Sequence, residues 1–227
     1  MNSRRRAPAW RDPNKPNLPR LLDPAQFASS DFCDEALREG LSYENVELSA
    51  GLTLRNVELR RSRFTGTRWP NSGFEHLAIA DVSAFGCDLS NLSMTNSSLL
   101  RMEIVQSRIS GLRVSESSMR EMTIRDCRGH FASFRFCRLH NIRFIDCSLT
   151  GASFEYSNLE NVEFIGCELD GAQFSGAKVS SARFRDCVLS GIGGVGGLSG
   201  SIVGESDLSG LAVSLAIAAG IVVDPAY

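Results

Sequence analysis

The sequence predicts an all-β chain wound into a square solenoid, with a short C-terminal capping helix and a disordered N-terminal arm. Three observations carry that expectation: a strict five-residue period, a twenty-residue modulation laid over it, and a slip of phase at each end of the periodic region. Repeats are read first because a missed repeat miscalls the whole fold.

From Cys147 the chain reads CSLTG, ASFEY, SNLEN, VEFIG, CELDG, AQFSG, AKVSS, ARFRD and CVLSG. Each quintet has a large apolar residue at its centre, a small or apolar one two places earlier, and polar residues elsewhere. The register runs unbroken from Leu54 to Leu189 through 28 centres. Of these, 27 are apolar where a composition of 43% would give about 12. The residue just before the centre is apolar only at Ala78 and Val188. A helix repeats at about 3.6 and a strand at 2, so neither produces this pattern. A chain that turns a corner every five residues does, with two side chains in and three out. Four quintets close one coil, and coils stack through backbone hydrogen bonds at roughly 4.8 Å.

In chain order, residues 1–22 come first, with Arg4, Arg5, Arg6, Arg11, Lys15 and Arg20 against a single acid, Asp12, and prolines at 8, 13, 16 and 19. That composition buries no core and reads as a flexible, extended basic arm. Residues 23–51 form an N-terminal cap with irregular first repeats: quintets centred on Tyr43 and Leu48 make a poorer half-coil, and one inserted residue precedes Leu54. Residues 52–191 give seven regular coils. Residues twenty apart should stack, and they share character: Phe74, Met94, Val114, Phe134, Phe154 and Phe174 on one wall, Phe64, Ile104, Ile124, Phe144, Phe164 and Phe184 on the opposite one, and mainly Leu on the other two. Ala84 and Gly129 break the rule. Gly129 leaves a gap, to be filled by Phe131 swinging inward from the corner or avoided by a local bulge. Residues 192–227 make one irregular turn and then a helix, with Ser206 or Asp207 as N-cap, Gly220 as stop, and Leu208, Leu211, Leu215 and Ile217 closing the last coil.

These quintets resemble the pentapeptide-repeat family over residues 52–191. The resemblance implies a right-handed quadrilateral β-helix. The family pattern favours Asp or Asn before the centre, and here only Asp88 and Asn158 comply.

Six of the seven cysteines, Cys87, Cys127, Cys137, Cys147, Cys167 and Cys187, occupy the inward position two before a centre. Parallel thiols on one wall do not converge on a metal, and stacked neighbours are badly spaced for disulfides, so they read as small buried apolar residues. No cofactor is expected. His130 and His140 point to opposite sides, GIGGVGG at 191–197 lacks the lysine of a phosphate loop, and a filled solenoid has no substrate pocket. The chain is therefore expected not to be an enzyme.

The 24 basic and 26 acidic side chains give a net charge of −2, against a nucleic-acid binder at whole-chain level. The longest apolar run, residues 211–223, falls short of the roughly 18 residues of a membrane span, and the Arg-rich N-terminus lacks a signal-peptide stretch, so a cytoplasmic protein is expected. Outward columns carry ladders such as Arg143, Glu163 and Arg183, and Arg135 with Glu155, read as solvated. Outward apolar residues mark a candidate interaction surface: Phe85, Val105, Ile145 and Ile165 in one column, and Phe136 with Tyr156 at a corner.

Two functions are consistent with these features: a scaffold or protein-interaction module of unassigned partner, or, from the resemblance, a DNA mimic that binds DNA gyrase and protects it from inhibitors. A mimic roughly 34 Å long would show about 20 negative charges. The repeats sum to +2, leaving only a local acidic patch of Glu155, Glu160, Glu163, Glu168 and Asp170. The resemblance also implies a homodimer through the C-terminal segment.

Overall fold

The structure, a computed structural model, describes residues 10–25, 32–48, 50–69 and 71–222. Its corners are all built alike. Two residues after a centre the backbone takes a left-handed φ, at 27 of the 28 positions from Asn56 to Gly191. Extended chain carried through a left-handed residue changes direction, and Asn, Asp and Gly accept that conformation at least cost. Ser181 is the exception, and there the pairing slips, with Glu160 opposite Ser181.

Seven eight-residue strands, from Glu58–Thr65 to Lys178–Arg185, each bend around one corner and so cover two walls. Five short strands, Thr53–Arg55 to Ser133–Arg135, pair into a second sheet on a third wall. Single bridges such as Arg128↔Ser148 and Ser148↔Glu168 tie the fourth. The ladders are parallel, and through the regular coils partners are twenty residues apart, as in Leu139↔Leu159 and Phe144↔Phe164.

The core fills the square. Phe134, Phe144, Phe154, Phe164 and Phe174 are fully buried. Within a wall their rings stack, as Phe144 on Phe164 at 5.0 Å and Phe154 on Phe174 at 5.1 Å. Between walls they meet edge to face, as Phe154 and Phe164 at 5.4 Å. Near Ala84, where a large centre is missing, an apolar cavity of about 40 Å³ remains, bordered by Phe64, Trp69, Met102 and Ile104. It has the volume of about one water, and an apolar lining that does not favour holding one.

Gly129 is accommodated differently from either expectation. Phe131 stays outside, 72% exposed. No bulge forms either: Arg108, Arg128 and Ser148 keep their twenty-residue bridges, and the Gly129 N–H donates to the Ser148 carbonyl at 2.7 Å. Leu149 and Ile109 close in from the adjoining coils, so that a Cβ on Gly129 would lie 2.9 Å from Leu149 Cδ2 and 3.0 Å from Ile109 Cγ1.

Both ends extend beyond the seven expected coils, giving about nine turns. Asp23–Ala25 pairs with Leu41–Glu44, which pairs in turn with Glu58–Thr65. Tyr43 lies opposite Phe64, twenty-one residues on, which accommodates the inserted residue, and the two rings stack at 4.9 Å. Phe32 plugs this end against Tyr43 and Trp69. At the other end Ile192 and Leu198 are buried and Ile202–Val203 pairs with the last long strand. Helix α1 (Leu208–Ala218) comes next, with Asp207 at its N-cap position but no side-chain capping bond, and Gly220 in the left-handed conformation beyond its end.

The expectation of a disordered arm fails for residues 10–22. They run along one corner of the solenoid, from the coil of Arg183 at Trp10 to the coil of Asp81 at Asn17. The cluster of Arg4, Arg5 and Arg6 lies outside the described residues. The arm buries little of its own, but the solenoid supplies the surface it lacks, and its prolines lower the entropy lost on ordering.

Restoring a large centre at Gly129 tests this packing. Gly129→Leu should destabilise by about 1–3 kcal/mol, the cost of overpacking, although it completes the repeat pattern. Urea denaturation followed by circular dichroism measures the sign.

Candidate interaction surfaces

The sequence-predicted surface residues divide into three places. Phe85, Val105, Ile145 and Ile165 do share a column, fixed by the pairs Phe85↔Val105 and Ile145↔Ile165, but Arg125 sits in its middle. Phe85 is exposed and the other three are half-buried, so the column is an interrupted apolar strip. Phe136 and Tyr156 stack face to face at 5.1 Å on a corner that does not border this wall, both half exposed. Both have a left-handed φ, unusual for aromatics, and Tyr156 lies flat over Gly176, where a Cβ would come within 2.5 Å of its ring.

The third place is α1. The sequence assigns Leu208, Leu211, Leu215 and Ile217 to closing the last coil, and only Leu211 does so. Gly210 lets the helix approach the Leu189 backbone, with a Cβ there only 3.3 Å from its nitrogen. Leu208, Leu215 and Ile217 are 52%, 45% and 63% exposed, and Val213, Ile221 and Val222 join them. A helix apolar on nearly all sides can bury only one of them on a flat coil end.

A fourth place is not apparent from the apolar pattern. The corner residues Arg61, Asp81, Arg101, Glu121, Asn141 and Asn161 form one column, and the arm lies on it. Asp81 takes a bidentate bond from Arg101 at 2.6 and 2.7 Å and accepts the Asn17 backbone N–H at 2.9 Å. Glu121 accepts the Asn14 N–H and the Asn141 amide at 2.8 and 2.7 Å, and pairs with Arg11. Asn161 continues the line by donating to Asn141 at 2.8 Å. Beside the column Arg143 pairs with Asp12 at 2.6 Å and with Glu163 at 2.9 Å, while Arg183 lies 4.9 Å over the Trp10 ring. Glu163 is buried, so this ladder is not the solvated one expected. Two signals in the sequence point here: acids at 81 and 121, forty apart in one column, and prolines at 13, 16 and 19, three apart.

The bonds from Arg101 hold the Asp81 carboxyl below the usual carboxylate range, helped by the Asn17 N–H and opposed by burial. Three of the thiols, Cys127, Cys137 and Cys167, are shifted the other way, while hydrogen bonds from neighbouring thiols lower Cys147 and Cys187. Burial pushes Cys137 up to about 11. In the column Cys127, Cys147, Cys167 and Cys187, the neighbouring thiols and then burial hold Cys127 and Cys167 above the ordinary thiol range. Each Sγ points at two backbone carbonyls, as Cys147 at Ile145 and Ile124, at 3.2 and 3.4 Å. Thr67 and Ser107 fill the same column elsewhere, so the position takes a small donor. Among the described residues no three His, Cys, Asp or Glu converge as a metal site, and no helix is long and apolar enough to cross a membrane.

The fold thus defines a four-sided parallel β-solenoid that keeps its chemistry on the outside. Residues 130–193 match the family model described as a pentapeptide repeat region. YisX of Bacillus subtilis strain 168 is 28% identical over 125 residues, covering 55% of this chain and 58% of YisX, so the chain spans little more than half of that relative's length. Among solved structures, HetL, a pentapeptide repeat protein involved in heterocyst differentiation regulation in the cyanobacterium Nostoc sp. strain PCC 7120, is 16% identical with a TM-score of 0.40, over 74% of this chain and 85% of HetL. QnrB1, a plasmid-mediated fluoroquinolone resistance protein, is 19% identical with a TM-score of 0.39, over 84% of this chain and 91% of the other.

Because Asp81 titrates below its unfolded value in the folded chain, the stability it contributes is present above about pH 4 and disappears as pH falls through the folded pKa. Asp81→Asn should lower the melting temperature by a few degrees at pH 7, on the order of 1.5–3 kcal/mol of charged hydrogen bonding. The gap from wild type should close as the pH is taken below the ordinary carboxylate value of 3.8, in melts followed by circular dichroism.

Proposed function

We propose that the protein is a non-enzymatic scaffold that binds protein partners through its outer walls and self-associates through its C-terminal cap. The observation that carries this reading is the exposed apolar set Leu208, Val213, Leu215, Ile217, Ile221 and Val222, gathered on and after α1 at one end of the solenoid. An apolar end face of a stacked fold invites a like face, and two copies meeting there bury side chains that a single copy leaves in water. The interior supports the same reading, since stacked aromatic and aliphatic side chains fill it and leave a cavity of only about 40 Å³.

The gyrase-binding reading has less support. Of its five carboxylates, Glu163 is buried against Arg143, Glu155 pairs with Arg135 at 3.4 Å, Glu160 with His140 at 3.2 Å, and Glu168 accepts from Ser148 at 2.6 Å. Groups already engaged this way make a poor copy of a phosphate row.

Leu215→Asp/Ile217→Asp leaves Leu211 in place and should convert a dimer to a monomer in size-exclusion chromatography with light scattering; a wild type that is monomeric at 100 μM (roughly ten times the concentration of a weak 10 μM dimer) removes the self-association reading. For the walls, Ile145→Asp/Ile165→Asp should lose partners that the wild type captures from native lysate, and an unchanged set discards that column.

A further inference from the structure

We propose that the corner column Asp81–Arg101–Glu121–Asn141–Asn161 is a peptide-binding groove that reads an extended basic segment with proline every third residue, and that residues 10–19 occupy it as a ligand in cis. The groove lies on a different surface from the α1 face and the apolar column, so either reading can fail alone.

Two lengths coincide here. Stacked coils are spaced by roughly 4.8 Å, so residues forty apart in a column are separated by about 9.6 Å. An extended proline-rich chain rises about 3.1 Å per residue, or about 9.3 Å for three. Three residues of such a chain therefore span two coils. The arm uses that match: Asn14 and Asn17, three apart, donate their backbone N–H groups to Glu121 and Asp81, forty apart. Each donor directly follows a proline, Pro13 and Pro16, and Pro19 continues the series. Proline has no N–H to offer, so a chain with proline every third place presents donors only at the remaining positions, and here the residue after each proline meets an acid.

The conformation is set in advance. Pro13, Pro16 and Pro19 fix their own φ, and Asp12, Lys15 and Leu18, each before a proline, are steered to the extended region. Pro13 is buried and Pro16, Leu18 and Pro19 are half-buried, so one edge of the segment faces the groove. Charge agrees with shape. Arg11 pairs with Glu121, and Lys15 and Arg20 keep the segment basic opposite an acid every second coil. Recognition is read from backbone N–H groups and proline spacing, as in other grooves that take preformed extended helices, so it does not require the segment to be covalently attached. At its far end the fit loosens: Trp10 Nε1 is buried without a hydrogen-bond partner.

The test keeps the full chain. Asn14→Pro/Asn17→Pro removes the two donated N–H groups while leaving the arm extended, which empties the groove. A fluorescein-labelled synthetic peptide of residues 9–20, AWRDPNKPNLPR, is then titrated by fluorescence anisotropy. It should bind this variant saturably. It should bind wild type at least tenfold more weakly, because the tethered arm competes at an effective concentration of about 1 mM. A peptide with one glycine inserted between Asn14 and Lys15 shifts the register by a residue and should also lose at least tenfold, as should the native peptide when Asp81→Ala/Glu121→Ala is added to the variant. Far-UV circular dichroism establishes that each variant is folded; if the doubly acid-substituted one is not, the shifted peptide decides. No saturable binding to the emptied groove, or equal binding of the native and shifted peptides, overturns the proposal.

Discussion

The structure depends on one backbone constraint, a left-handed residue two places after every centre. It converts a continuous extended chain into straight segments of fixed length meeting at corners, and the period of five is its direct expression. Because every segment has the same length, each coil superposes on the last, and parallel hydrogen bonding can run the length of the molecule without loops. A left-handed non-glycine residue costs roughly 1–2 kcal/mol in isolation. It persists because the coils above and below fix each corner through the backbone ladder, as when Asp146 N–H donates to the Ile165 carbonyl at 2.8 Å. Where the constraint lapses, at Ser181, the ladder loses register, and the chain leaves the regular solenoid within one further turn.

Features governed by burial were legible in the sequence. Centres must be large and apolar, and the positions two before them small or apolar, so the walls and the cysteine column could be placed from letters alone. Features that depend on relaxation or on distant surfaces were not. Gly129 reads as a void because a repeat pattern treats coils as rigid copies, whereas Ile109 and Leu149 bring their flexible ends into the space. The ring of Phe131 reads as available to fill it, but its corner backbone directs it outward over Gly151. Arg143 and Glu163 read as solvated because nothing in their own column reveals that Asp12, more than a hundred residues away, comes to rest against them. Composition shows that residues 10–22 have no core of their own to bury, and it does not show the solenoid surface that orders them from Trp10 onward.

The two ends solve the same problem unequally. A stack of coils exposes backbone and core at each end, and such edges join to others unless covered. At the N-terminal end Phe32 inserts among Tyr43 and Trp69 as an aromatic plug. At the C-terminal end α1 lies across the coil with Leu211 and Ser214 turned in. The same helix that covers the coil end therefore carries an apolar face outward.

The arm and its groove arise from electrostatics as much as from shape. Side chains in a column are one coil apart, close enough that like charges repel, so alternating signs favour a charged column. The corner column does alternate: Arg61, Asp81, Arg101, Glu121. Alternation at a spacing of roughly 4.8 Å places the acids about 9.6 Å apart whatever the residues are selected for. That distance is close to the three-residue rise of an extended proline-rich chain. A square solenoid that neutralises its own corner is thereby left with acceptors at the interval such a chain presents donors. Arg101, between the two acids, holds the Asp81 carboxylate ionised and aimed. Recognition of an extended segment is in this sense a by-product of keeping a corner electrically balanced, and the asparagines at 141 and 161, which end the alternation, mark where the hydrogen-bond register stops and the Trp10 ring takes over against Arg183.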